Sequence, residues 1–235
     1  MVWKLAGAGI LLVSAFTLAA EAHVVRLRVE HRDPVLDGKA FGNAGAYEKL
    51  SGKVEFALDP GLAINKSIID LDLAPKNAQG LVEFTADFMM LKPIDPAKGN
   101  GRLFDEVGNR GGKARLSMCQ KAKGSRDPQT AEEFGNGALM NQGYTLVWLG
   151  WQWDVPNGQM RMDMPIATED GKKITGLVRG NFIPNDNAPT QPLADRNHLA
   201  YPIDDPDGPD SVMTVRDRPA DTPQVIPRAK WHFVG

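Results

Sequence analysis

Residues 81–92, LVEFTADFMMLK, constrain the fold more than any other part of the chain. Val82, Phe84, Ala86 and Phe88 alternate with Glu83, Thr85 and Asp87. A period of two places one set on each face, so the segment reads as a half-buried strand. Residues 24–30 (VVRLRVE) and 53–58 (KVEFAL) alternate in the same way. The first 95 residues are therefore expected to form antiparallel β structure with one face wet. Residues 64–73 are mixed and 42–45 read as a turn.

The pattern changes after Arg102. Residues 103–107 read as a short strand that runs into Gly108-Asn109-Arg110-Gly111-Gly112. Asp127-Pro128 suits a helix start, Glu132 and Glu133 suit its first turn, and Gly143 suits its stop. Gly135 and Gly137 inside that helix each cost about 1 kcal/mol relative to alanine, which calls for close packing on a sheet. Residues 144–149, YTLVWL, are apolar on both faces, the mark of a covered central strand. Strand, loop, helix and strand predict a right-handed βαβ unit over about 103–151, with its two strands parallel. From Pro156 on the chain is rich in Pro and Asp; 11 of its 17 prolines lie there, which leaves room only for short strands near 172–183 and 211–215. The closing residues 231–235, WHFVG, are apolar with no closing element, so the chain reads as stopping in the middle of a fold.

Lys4, an apolar run over 5–20 and Ala20-Glu21-Ala22 have the layout of an export signal with cleavage after Ala22. The run is short for a membrane span, so no stable span is expected once the signal is removed. The resulting organisation is a signal over 1–22, a β-rich region over 23–98, the βαβ start of a second layer over 99–155, and a Pro/Asp-rich stretch over 156–235. The protein is expected in the periplasm or outside the cell. Its single cysteine, Cys119, forms no internal disulfide, so the core alone must hold the fold. With 27 basic and 29 acidic residues the charge balance does not fit a nucleic-acid partner.

Most familiar chemistries are absent. The Gly-rich loop is not a nucleotide P-loop, because Val107 and Ala114 stand where that motif needs Gly and Ser or Thr. The acidic run 204–210 is not an EF-hand, because Ile203 and Thr214 occupy ligand positions. His23, His31, His198 and His232 are scattered, so neither a metal nor a cofactor is expected. Ser51, Ser67, Ser117, Ser125 and Ser211 all lack the flanking glycines of a nucleophile elbow. Two features remain. Backbone N–H groups of the loop at Asn109, Arg110 and Gly111 could face an anion or a developing oxyanion. Trp151, Gln152, Trp153 and Asp154 follow the covered strand, and ligands of α/β sheets gather at strand carboxyl ends.

Several stretches together resemble the opening of large exported α/β-hydrolase-domain proteins of bacteria. They are FGNAGAYEKLSG at 41–52, DLDLAPKNAQG at 70–80, VGNRG at 107–111, GNGALMNQGYT at 135–145 and WLGWQWD at 148–154. The resemblance spans about 30–235. It implies an α/β fold, a partial and mostly parallel hydrolase-like sheet preceded by antiparallel β-rich additions. It also implies a serine esterase-type activity on a small-molecule ester, with Asn109, Arg110 and Gly111 flanking the oxyanion hole. In that family the nucleophile lies downstream of the matched region, so nucleophile, acid and histidine have no place here. The chain is then either the N-terminal piece of a longer protein or a truncated paralogue, without complete catalytic machinery of its own. The rival reading is a non-catalytic exported binding module that takes carbohydrate through Trp151 and Trp153. Oligomeric state is not legible.

Overall fold

The computed structural model describes residues 23–184, 186–194 and 198–234. The expected export signal, residues 1–22, lies outside the described residues. Three long strands come first: β1 (His23–Pro34), β2 (Tyr47–Leu58) and β3 (Val82–Pro93). They pair as an antiparallel meander, with Leu50 opposite Met90 and Val54 opposite Ala86. Then follow β4 (Leu103–Glu106), three short helices α1 (Arg115–Gln120), α2 (Ala131–Phe134) and α3 (Ala138–Asn141), and β5 (Thr145–Leu149). A two-residue strand, β6 (Met162–Asp163), returns to pair with β3. The sheet order is β1-β2-β3-β5-β4, with β6 also on β3.

This corrects the expected sheet. It is mixed and mostly antiparallel, and the protein is mostly β rather than a partial, mostly parallel hydrolase-like α/β sheet. Only β4 and β5 run parallel, Glu106 lying opposite Trp148. On its other side β5 pairs antiparallel with β3, Phe88 opposite Leu149. The physical reason is that apolarity on both faces reports cover, not strand direction. A strand between two neighbours and beneath a helical layer reads the same whichever way those neighbours run. The βαβ crossover itself is present as the pair β4–β5.

The single helix expected from Asp127 is also corrected. It is two helical turns, α2 and α3, broken between Phe134 and Ala138. Gly135 takes φ +61°, and a Cβ there would lie 2.1 Å from the Gln120 carbonyl oxygen. That approach is open only to glycine, so Gly135 ends one turn and lets the chain pass under α1. The start is Thr130 rather than Asp127. The Glu133 carboxylate accepts the N–H groups of Gln129 (2.9 Å) and Thr130 (3.0 Å), which holds its pKa down at about 2. Asp127 instead meets the buried Lys49 ammonium at 2.6 Å. In the Pro-rich stretch, the strand expected over 172–183 shrinks to β7 (Thr168–Glu169) against β8 (Lys172–Lys173). β9 (Met213–Val215) pairs with β10 (Gln224–Ile226) as a separate hairpin.

The main core lies between the helices and one face of the sheet. Tyr47, Met89, Leu91, Leu146 and Trp148 from the strands meet Leu116, Phe134 and Met140 from the helices. Leu50, Val54 and Phe88 form a smaller cluster, partly backed by Phe56, Met90 and Leu149. Tyr47 ties the layers together. Its ring is fully buried, and its hydroxyl donates to the carbonyls of Met140 (3.0 Å) and Tyr144 (2.9 Å). Burial pushes its pKa from 10.0 up to about 12.

A folded-state pKa above the unfolded value means stability that is whole below about pH 10 and lost as pH rises towards 12. The expected outcome is that Tyr47→Phe costs about 1–3 kcal/mol at neutral pH, through two carbonyls left short of a donor. The variant should also lose part of the alkaline fall in stability. Urea unfolding of both proteins at steps from pH 8 to pH 11.5 measures this. Parallel stability curves for the two would refute the assignment.

Candidate functional site at the strand ends

β4 ends on a buried carboxylate. Glu106 is 6% exposed, and its oxygens accept the Trp148 indole N–H (2.5 Å) and the backbone N–H groups of Ala114 (2.9 Å) and Arg115 (3.0 Å). A buried carboxylate needs such partners. Here they fold residues 107–114 back on the strand that produced them and start α1. The loop's far side is held from the segment after β5. The Trp151 indole N–H donates to the Gly108 carbonyl at 2.8 Å, and Gln152 Oε1 accepts the Arg110 N–H at 2.6 Å. Gly111 sits at φ +68°, and a Cβ on it would meet the Met160 carbonyl oxygen at 2.5 Å. The loop is thus wedged against 159–160 with no room for a side chain there.

Asn109 is exposed, Arg110 half-buried and Gly111 buried, all within one 3-10 turn. The backbone donors around them are turned inward. Arg110 N–H goes to Gln152, Gly112 N–H to the Asn109 carbonyl (3.2 Å), and those of Ala114 and Arg115 to Glu106. An oxyanion would therefore have to displace Gln152 to reach the Arg110 N–H. Lys113 closes the loop by donating to the Arg126 carbonyl, and desolvation lowers its pKa below the ordinary 10.5.

The structure brings Trp151, Gln152, Trp153 and Asp154 together with this loop. Trp151 is 46% exposed, so part of its ring faces solvent while its N–H is tied down. The Trp153 ring meets Tyr201 edge to face, with centroids 5.1 Å apart. Asp154 Oδ2 lies 3.0 Å from His198 Nδ1, and the Leu199 N–H donates to the Asp154 carbonyl at 2.8 Å. Beneath them Arg161 donates its side chain to the Trp153 carbonyl (2.8 Å) and its backbone N–H to Asp87 (2.9 Å). Lys53 bridges Asp87 (2.7 Å) and Asp163 (2.8 Å), and the Lys53 contact helps hold the Asp163 pKa below its usual value.

Glu106, Arg161, His198 and Tyr201 were not singled out from sequence. Glu106 carried a faint signal, as the acid closing a strand beside the Gly-rich loop. His198 carried none, because its partner is 44 residues earlier. Among the described residues no serine hydroxyl is hydrogen-bonded to a histidine, and the Ser117 hydroxyl donates to the Ala114 carbonyl (2.6 Å). No group of three or more His, Cys, Asp or Glu among them could hold a metal ion. In the acidic run, Asp205 is engaged by the backbone N–H of Asp207. Among the described residues no helix is long and apolar enough to cross a membrane.

No family model matches the sequence, and neither a curated protein nor a solved structure matches it.

Glu106→Leu should leave the buried Trp148 indole N–H without an acceptor and release the part-buried N–H groups of Ala114 and Arg115. An outcome of roughly 1–3 kcal/mol lost in urea unfolding is expected, the range for one buried donor left unsatisfied. Hydrogen exchange should rise first over 107–115. Unchanged protection of that segment would refute the role of the carboxylate as the loop's pin.

Proposed function

We propose that the chain supplies the substrate-holding side of an exported serine-type ester hydrolase, with the nucleophile contributed from outside residues 23–234. The observation that carries this reading is the parallel pairing of β4 with β5. It sets the loop 107–114 and the segment 151–154 side by side at the carboxyl ends of the two parallel strands, joined by the Trp151 and Gln152 contacts. The five serines of 23–235 lack the glycine neighbours of a strained nucleophile turn. In this reading the Arg110 N–H serves the oxyanion once Gln152 gives it up, and the half-exposed Trp151 ring lines an apolar acyl or alcohol pocket. The resemblance to exported hydrolase-domain proteins supports the same activity and a small-molecule ester as substrate.

A binding module for carbohydrate is the second reading. It is favoured by the 46% exposure of Trp151 and by the loop donors already being occupied. A fluorophosphonate probe separates the two. The 235-residue chain should remain unlabelled and inactive on p-nitrophenyl butyrate. The natural protein, captured from its source with antibody raised against this chain, should be labelled at a serine outside it. Labelling of Ser117 or Ser125, or no labelling of the natural protein, would overturn the hydrolase reading.

A further inference from the structure

The strongest unexplained group in the molecule is the His198 imidazole. Its side chain is 6% exposed, Nδ1 lies 3.0 Å from Asp154 Oδ2, and among the described residues the buried Nε2 has no hydrogen-bond partner. A carboxylate only accepts, so Nδ1 carries a proton, and in the neutral imidazole Nε2 then presents a lone pair. A buried polar atom left in this state costs about 1–3 kcal/mol. The surroundings keep the ring where it is rather than letting it turn out to water. The Leu199 N–H is fixed to the Asp154 carbonyl, and Tyr201 packs on Trp153.

We infer that His198 Nε2 is the acceptor of a small-molecule binding site whose ligand is a neutral alcohol or polyol. The ligand must bring a donor. A carboxylate or phosphate would set its own lone pairs against that of Nε2 beside the negative Asp154. An ammonium group could donate, but moving a full charge to a position this buried costs far more than moving a hydroxyl. A metal ion would find one imidazole, and no cluster of three ligands is present among the described residues. A hydroxyl satisfies Nε2 with one bond, and the Trp153–Tyr201 ring pair lies one residue from Asp154 and three from His198 along the chain. Asp154 is then a positioning residue that fixes the tautomer. The inference does not depend on ester hydrolysis, since it requires a bound hydroxyl and no reaction.

The test uses the full chain labelled with 15N-histidine and long-range proton–nitrogen spectra. His198 should show a bare Nε2 and a protonated Nδ1. Glycerol should shift the Nε2 resonance in a saturable manner, while acetate at the same concentration should not. Asp154→Asn keeps an oxygen acceptor for Nδ1 and should preserve the glycerol shift. Asp154→Leu should weaken glycerol binding roughly tenfold, the factor expected when one hydrogen bond of ordinary strength is lost. A normal amide spectrum checks that this variant is folded, and Asp154→Ser replaces it if it is not. A proton on Nε2 would overturn the inference. So would a resonance indifferent to glycerol, which leaves the atom to bound water, or one shifted equally by acetate. A shift seen only in a longer natural protein would assign the acceptor to a protein hydroxyl and would also overturn the small-molecule site.

Discussion

The Glu106 carboxylate is the interaction on which the second half of the structure depends. It stands at the end of a four-residue edge strand held otherwise by its ladder with β5 and by Phe104 against the core. Its three donors come from the neighbouring strand and from the first turn of the following helix. A single buried charge therefore fixes the direction of β4 against β5, the path of the loop 107–114 and the position of α1. Removing the charge alone would leave the buried Trp148 indole dry, and removing the donors would leave a charge dry. Either change is costly, because a charged hydrogen-bonded cluster in a low-dielectric interior is worth keeping only when it is complete.

The sheet explains why so short a strand can carry this arrangement. β2 and β3 pair over their whole length, from Tyr47 opposite Pro93 to Leu58 opposite Val82. That ladder is a rigid base onto which β5 adds through four residue pairs. β5 then presents Leu146 and Trp148 to the helical layer, and Tyr47 secures α3 from below through two carbonyls. The helices are too short to be stable alone. They exist because the sheet offers an apolar face and because buried Gln120 answers their ends, donating to the Phe134 carbonyl (3.2 Å) and accepting the Leu139 N–H (3.0 Å).

The strands were legible because period-two patterning reports extended structure, although Val25, Leu27 and Val29 of the alternating β1 stay exposed. Val82, Ala86 and Phe88 are buried as their alternation indicates, and the covered strand over 144–149 does lie between two others. Strand direction was not legible. No local pattern separates a strand flanked by one parallel and one antiparallel neighbour from a strand in a wholly parallel sheet. The helix was misread for a different reason. Phe134, Ala138 and Leu139 keep helical spacing, but Gly135 and Gly137 both take positive φ and interrupt it. At the site, the loop and the tryptophan segment were found because Gly-rich turns and clustered indoles are conspicuous. The Glu106 and His198 contacts were missed because each depends on which distant segment comes to lie beside it.

The same geometry limits what the loop 107–114 can do by itself. A donor serves an incoming ligand only if it is unpaired beforehand or can be released at small cost. Arg110 N–H is held by a neutral side-chain amide at 2.6 Å, an exchangeable partner, since a ligand oxygen could take the place of Gln152 Oε1 with one bond lost and one gained. The donors of Ala114 and Arg115 are held by a carboxylate, and no neutral ligand can match that charge-assisted pairing. The loop therefore has one replaceable contact beside two permanent ones. Release of the Arg110 N–H would leave the Glu106 contacts of Ala114 and Arg115 holding the rest of the loop in place.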